Sequence, residues 1–231
     1  MMRESVPGGN TSHSVAQQPK VACFGRQYDG VLFDMDGTLV DSRAVVERIW
    51  AAWARPNELD LGKILAASHG RRTIDTVREF AAPGMDVESE AEKLEAMESE
   101  DHEGVVAVPG ALDFINQLSD DQWAIVTSAG RLLAEKRLRA AGFPIPRLMV
   151  TAEDVSRGKP DPQGYEIAAK LLGKATSQCV VFEDAPAGIE AGIRAGCEVV
   201  AIRAAQPFAF EPPCRAISDF RSEAISVTLA L

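Results

Sequence analysis

No stretch of the 231-residue chain is apolar for long enough to cross a bilayer, and its first residues lack the apolar core of a secretory signal. A soluble, cytoplasmic protein is the expectation. Basic residues are outnumbered, 24 Lys and Arg against 34 Asp and Glu, for a net charge of -10. That balance argues against nucleic acid or an anionic membrane surface as partner, and it makes any anionic ligand dependent on cations placed locally. Cysteine is sparse. Cys23, Cys179, Cys197 and Cys214 show no metal-ligand spacing, and Cys179 and Cys197 lie inside apolar runs, so they read as reduced, mostly structural thiols. What is present is a hydrophobic fraction of 46%, enough for a full core in one α/β domain or in one domain carrying an insertion.

The stretch Val31-Leu32-Phe33-Asp34-Met35-Asp36-Gly37-Thr38 organises the rest. Three apolar residues in a row suit a strand buried on both faces, and it runs into two carboxylates, a glycine and a threonine. Ligands of open α/β sheets bind outside the carboxyl ends of the strands, which is where Asp34 and Asp36 fall. Two carboxylates this close stay ionised only beside a cation, so the pair reads as a metal site or a shared-proton site. Oxygen-only ligation favours Mg²⁺ over zinc. A polar loop capping the next helix uses the same residue types and stays open at this point.

Residues 1–27 mix Gly, Ser, Asn, Gln and Pro without a hydrophobic period, which predicts a disordered tail. From Arg43 to Val106 the pattern is helical with no strand, a break in the α/β alternation that predicts an inserted helical subdomain over 43–106. Residues 28–42 and 107–231 then form the sheet core. Within the insert, Ser68-His69-Gly70-Arg71-Arg72-Thr73 is a polar knot whose arginines suit a phosphate or a sugar hydroxyl array, though a basic surface turn has the same composition. The acidic run from Glu88 to Glu103 reads as a solvated helix face without chemistry.

Further buried strands repeat the first one's design. Trp123-Ala124-Ile125-Val126 ends in Thr127-Ser128 ahead of a helix, where hydroxyls and backbone N–H groups converge as in an anion site. Cys179-Val180-Val181-Phe182 ends in Glu183-Asp184. Between them, Lys159 sits in a loop between a glycine and a proline that stiffens it.

Four motifs in this order, spanning about Val31 to Ile202, resemble those of the haloacid dehalogenase (HAD) superfamily, most of whose members are phosphatases. The resemblance implies a Rossmann-like parallel sheet core with an inserted all-helical cap, and it implies the roles. Asp34 resembles the nucleophile that forms an aspartyl-phosphate. Asp36 resembles the general acid and base, with its backbone carbonyl on Mg²⁺. Thr127, Ser128 and Lys159 resemble the phosphate-binding set; Asp184 resembles a metal ligand and Glu183 the holder of a metal-bound water. The presence of Asp36 argues against a true haloacid dehalogenase, a branch that works without the second carboxylate. The knot at His69, Arg71 and Arg72 resembles the substrate-binding region of small sugar-phosphate and glycerol-phosphate phosphatases.

The expected activity is therefore Mg²⁺-dependent hydrolysis of small phosphorylated sugars or polyols by a monomer or weak dimer. Two rivals stand beside it. A sugar phosphomutase of the β-phosphoglucomutase type shares the aspartyl-phosphate but returns the phosphoryl group to substrate. A binding or regulatory protein would keep the fold without turnover, against the presence of every acid the chemistry requires.

Overall fold

The computed structural model describes residues 20–205 and 211–228. Two short, largely polar strands, β1 (Lys20–Cys23) and β2 (Arg26–Tyr28), come first, followed by the apolar β3 (Gly30–Phe33). The short β4 (Val40–Asp41) leads to four helices, α1 (Arg43–Ala54), α2 (Leu61–Ser68), α3 (Thr73–Phe80) and α4 (Val87–Glu100). The chain then returns through β5 (Val106–Ala107) and alternates through α5 (Ala111–Ile115), β6 (Trp123–Val126), α6 (Arg131–Ala140), β7 (Met149–Val150), α7 (Gln163–Leu171), β8 (Cys179–Glu183), α8 (Pro186–Arg194) and β9 (Glu198–Ile202). Two further strands, β10 (Arg215–Ile217) and β11 (Ile225–Thr228), follow.

Six strands make one parallel sheet in the order β10-β9-β8-β3-β6-β7. Parallel sheets are covered on both faces, so their strands are apolar at every position rather than at alternate ones. Accordingly β3, β6 and β8 are buried throughout. Phe33 faces an aromatic cluster with Phe114, Trp123, Phe182 and Phe220, stacking on Phe182 at 5.4 Å. Leu32, one residue earlier, points into a second cluster with Tyr165, Ala168 and Ile189 beneath α7 and α8. The central place of β3, flanked by β8 and β6, brings three chemically loaded strand ends side by side.

Helices α1 to α4 lie between the two strands of a separate antiparallel pair, with Val40 opposite Ala107 and Asp41 opposite Val106. The chain thus leaves the sheet and returns to it through one narrow ribbon. Asp60 and Asp86 start α2 and α4 by accepting hydrogen bonds from Lys63 N and Ser89 N.

A disordered tail reaching Gln27 is corrected by the structure. Residues 1–19 lie outside the described part, but Lys20–Cys23 pairs antiparallel with both β2 and β11, closing a three-stranded sheet. Val21 and Cys23 are buried there. Two inward-facing apolar residues are too few to raise a hydrophobic period, and the partner strand lies at the other end of the chain.

Candidate active site

The ends of β3 and β8 face each other, since Phe33 pairs with Phe182 and Asp34 N donates to Phe182 O at 3.0 Å. Asp34, Glu183 and Asp184, all buried, therefore offer carboxylate oxygens within 4.8 Å of one another. Lys159 reaches into this cluster: its Nζ donates to Asp34 Oδ1 and to Glu183 Oε1, each at 2.6 Å. Burial works against the Lys159 ammonium, but Asp34 and Glu183 outweigh it and hold its pKa above the ordinary value. Burial, reinforced by Glu183, pushes Asp34 well above the usual carboxylate range despite Lys159.

Glu183 is the most fully held of the group. Oε1 also accepts from Tyr165 Oη at 3.0 Å, and Oε2 accepts from the backbone of Asp184 and Ala185. Two glycines make room for these acids. A Cβ at Gly37 would overlap the Asp184 carboxylate, and one at Gly188 would overlap that of Glu183. Gly37 also has a φ of 90°, in the region that side chains avoid.

Three carboxylates against the Lys159 ammonium and the His69 imidazole, whose pKa Asp184 raises against burial, leave the cluster short of positive charge, and Asp34 Oδ2 is buried without a hydrogen-bond partner among the described residues. An oxygen-rich, charge-deficient nest with an orphaned carboxylate oxygen fits a hard divalent cation. Asp34 and Asp184 are the side chains that can hold one.

A cavity of about 120 Å³ opens from this cluster toward the helices, lined by Asp34, Asp36, Thr127, Ser128 and Asp184 from the sheet side. His69, Gly70 and Arg71 line it from the helical side, with Val46, Trp50 and Leu65 as an apolar wall. The knot is docked on the sheet: His69 Nε2 lies 2.7 Å from Asp184 Oδ2, and Ser128 Oγ donates to Gly70 O at 2.9 Å. Gly70 is pressed against Ala185, with no room for a Cβ.

The structure does not bring every expected residue to the cavity. Lys159 stands in an adjoining pocket of about 20 Å³ that Thr127 and Ser128 also line, with its Nζ engaged by two carboxylates. Arg72 lies outside the cavity, because at the start of α3 its guanidinium folds back on Asp75 and packs against Gly158. Arg71 is at the cavity wall and donates to Glu79 Oε2.

Sequence reasoning missed two residues here. Arg137 on α6 donates to Asp36 Oδ1 and to Glu98 Oε2, both at 2.9 Å, and all three line the cavity. The reading of the Glu88–Glu103 run as a solvated face is thus corrected at Glu98, which is 4% exposed. The signal existed: Glu98 continues the buried stripe Ala91-Leu94, and Arg137 falls on the buried stripe Leu133-Ala134-Leu138. Ser42 stands at the start of α1 and is a residue type that suits capping, but it makes no cap hydrogen bond and donates its hydroxyl to Asp36 Oδ1 at 2.7 Å instead.

The family model of haloacid dehalogenase-like hydrolases matches residues 28–196. The chain is 46% identical over 179 residues to hexitol phosphatase A of Escherichia coli, covering 76% of this chain and 83% of that protein. It is 36% identical over 186 residues to glycerol-1-phosphate phosphohydrolase 2 of Saccharomyces cerevisiae, covering 75% and 74%. Among solved structures, a hydrolase from Pseudomonas syringae superposes with a TM-score of 0.74 at 24% identity, over 83% of this chain and 94% of the other.

Proposed function

Because the chain belongs to the haloacid dehalogenase-like hydrolases, we propose that it hydrolyses phosphate monoesters of small sugars or polyols through a phosphorylated Asp34. The observation that carries this reading is the buried cluster of Asp34, Glu183 and Asp184 around Lys159, opening on a cavity that Asp36 also lines. The names of the relatives support the substrate class, since they act on hexitol and glycerol phosphates.

In this reading an Asp34 carboxylate oxygen attacks phosphorus while the bond to the leaving oxygen breaks. Asp36 gives that oxygen its proton. Water then yields a proton to Asp36 and displaces Asp34 from phosphorus, which restores both acids. Thr127 and Ser128 receive phosphoryl oxygens at the start of α6. Lys159 favours the ionised form of Asp34 against its burial and aims it, a narrower role than direct phosphate binding because its ammonium is already shared by two carboxylates. Mg²⁺ held by Asp34, Asp184 and the Asp36 carbonyl, with Glu183 retaining a water, would supply the positive charge that lets a carboxylate approach a phosphate.

We assign residues 28–42 and 107–231 to the catalytic core and 43–106 to a cap, with the β4–β5 ribbon as the hinge. His69 and Arg71, at the cavity wall, are the cap residues that would meet the polyol. A cytoplasmic location suits the four free cysteines.

The test is phosphate release with and without Mg²⁺ across hexitol, hexose, pentose, glycerol and nucleotide monophosphates. Mg²⁺-dependent release from several sugar or polyol phosphates supports the reading. Silence across the panel, with conversion of glucose 1-phosphate to the 6-phosphate once a bisphosphate primer is added, would replace it with the mutase.

A further inference from the structure

Among the described residues, the two donors that reach the Asp36 carboxyl bond the same oxygen. Ser42 Oγ donates to Oδ1 at 2.7 Å and Arg137 Nη1 at 2.9 Å. A carboxyl gripped at one oxygen by two donors of different elements loses its freedom to rotate, and it holds its proton on the other oxygen. The Asp36 side chain keeps 26% exposure and lines the cavity, so the ungripped oxygen is the one free to meet a substrate.

Arg137 itself is only 3% exposed, and its second branch, Nη2, donates to Glu98 Oε2 at 2.9 Å. Its Nε is buried with no hydrogen-bond partner among the described residues. Stability alone does not explain this arrangement. A buried ion pair is seldom better than a well-packed apolar pair of the same volume, and Glu98 occupies a stripe position where Ala91 and Leu94 set an apolar pattern. Arginine's planar fork can span two carboxylates from different elements at once, which lysine's point charge cannot do as well. Here the fork joins Asp36, at the end of β3, to α4 of the helical segment.

The geometry points to Arg137 as a positioning residue for proton transfer. Together with Ser42 it pins Oδ1 of Asp36, making Oδ2 the oxygen that gives and takes the proton, while Glu98 anchors the fork so that Asp36 is aimed when the helical segment is docked. This rests on the phosphatase reading, with Asp36 as the acid. Arg137 touches neither the phosphorus nor the leaving group and acts through Asp36.

The test uses two esters that differ in their need for a proton. An alkyl phosphate such as a hexitol or glycerol phosphate expels an alkoxide that must be protonated, whereas p-nitrophenyl phosphate expels a stable phenolate. Because kcat/KM covers only the steps through phosphoryl transfer to Asp34, the later hydrolysis does not blur the comparison. Arg137→Met should lower kcat/KM for the alkyl ester about a hundredfold, the low end of the range for general acid catalysis, and for the aryl ester only a few fold.

Arg137→Met strands the buried Glu98 carboxylate and risks the fold, so the double variant Glu98→Leu/Arg137→Met is measured beside it. It removes both charges and should show the same selective loss. Equal losses on the two esters, or no loss on either, in the folded double variant overturns the assignment. An unsubstituted enzyme inactive on both esters would instead sink the phosphatase reading, so the two failures are distinguishable.

Discussion

Replacing Lys159 by methionine removes an ammonium bonded at 2.6 Å to both Asp34 and Glu183 while keeping most of the side chain's volume. Asp34, Glu183 and Asp184 then share their 4.8 Å cluster without it. Removing one partner of a buried pair costs about 3–5 kcal/mol, because the other charge stays buried. Proton uptake by a stranded carboxyl relieves part of the repulsion, so the middle of that range, about 4 kcal/mol, is the expected loss. For a chain of this size each kcal/mol moves the melting temperature by about 2–4 °C, so the variant should melt about 8–16 °C below the parent in EDTA at pH 7.

The sign of the pH effect follows from linkage. The folded variant retains a carboxyl proton more readily than the unfolded chain, whose carboxyls are already ionised near neutrality, so the stability deficit shrinks as pH is lowered from 7 toward 5.5. Saturating Mg²⁺ should shrink it too, by binding the folded cluster. Differential scanning calorimetry at two pH values, with EDTA and with Mg²⁺, measures all three effects. A variant that melts with the parent in EDTA, or a deficit indifferent to both pH and Mg²⁺, would refute the claim that Lys159 balances these carboxylates.

Asp34→Asn should reduce phosphate release to background while melting at or above the parent temperature, since it takes one charge out of a crowded cluster; near-normal turnover would remove Asp34 as nucleophile. Gly37→Ala, whose Cβ overlaps the Asp184 carboxylate, should weaken apparent Mg²⁺ affinity about ten- to a hundredfold in a Mg²⁺ titration of activity. An unchanged titration would exclude Asp184 from the metal site. The thiols of Cys23 and Cys197 are pushed up to about 12 and that of Cys179 to about 11, chiefly by burial. A chromogenic disulfide reagent at neutral pH should therefore react far more slowly with the native protein than with the guanidinium-denatured chain, which titrates four thiols.

Strand-end acids are readable because their placement is local. A run of buried residues such as Val31-Leu32-Phe33 must be a covered strand, and the polar residue that follows it must emerge at the sheet's edge. That rule alone located Asp34, Asp36, Thr127, Ser128, Glu183 and Asp184, and a long gap between strands marked off the four helices. Local rules also misled. Acidic density hid the buried Glu98, cap chemistry hid the Ser42 bond to Asp36, and a polar composition hid the strand at Lys20–Cys23.

The partners of those acids were settled only by how helices dock. His69 meets Asp184 across 115 residues of sequence and Arg137 meets Asp36 across 101, while Arg72, in the same knot as His69 and Arg71, turns to its own helix instead. Periodicity records which face of an element is buried, not which element buries it. A charged residue on an apolar stripe announces a buried partner, but the partner's identity depends on the crossing of two helices in space, and that is fixed by the whole core.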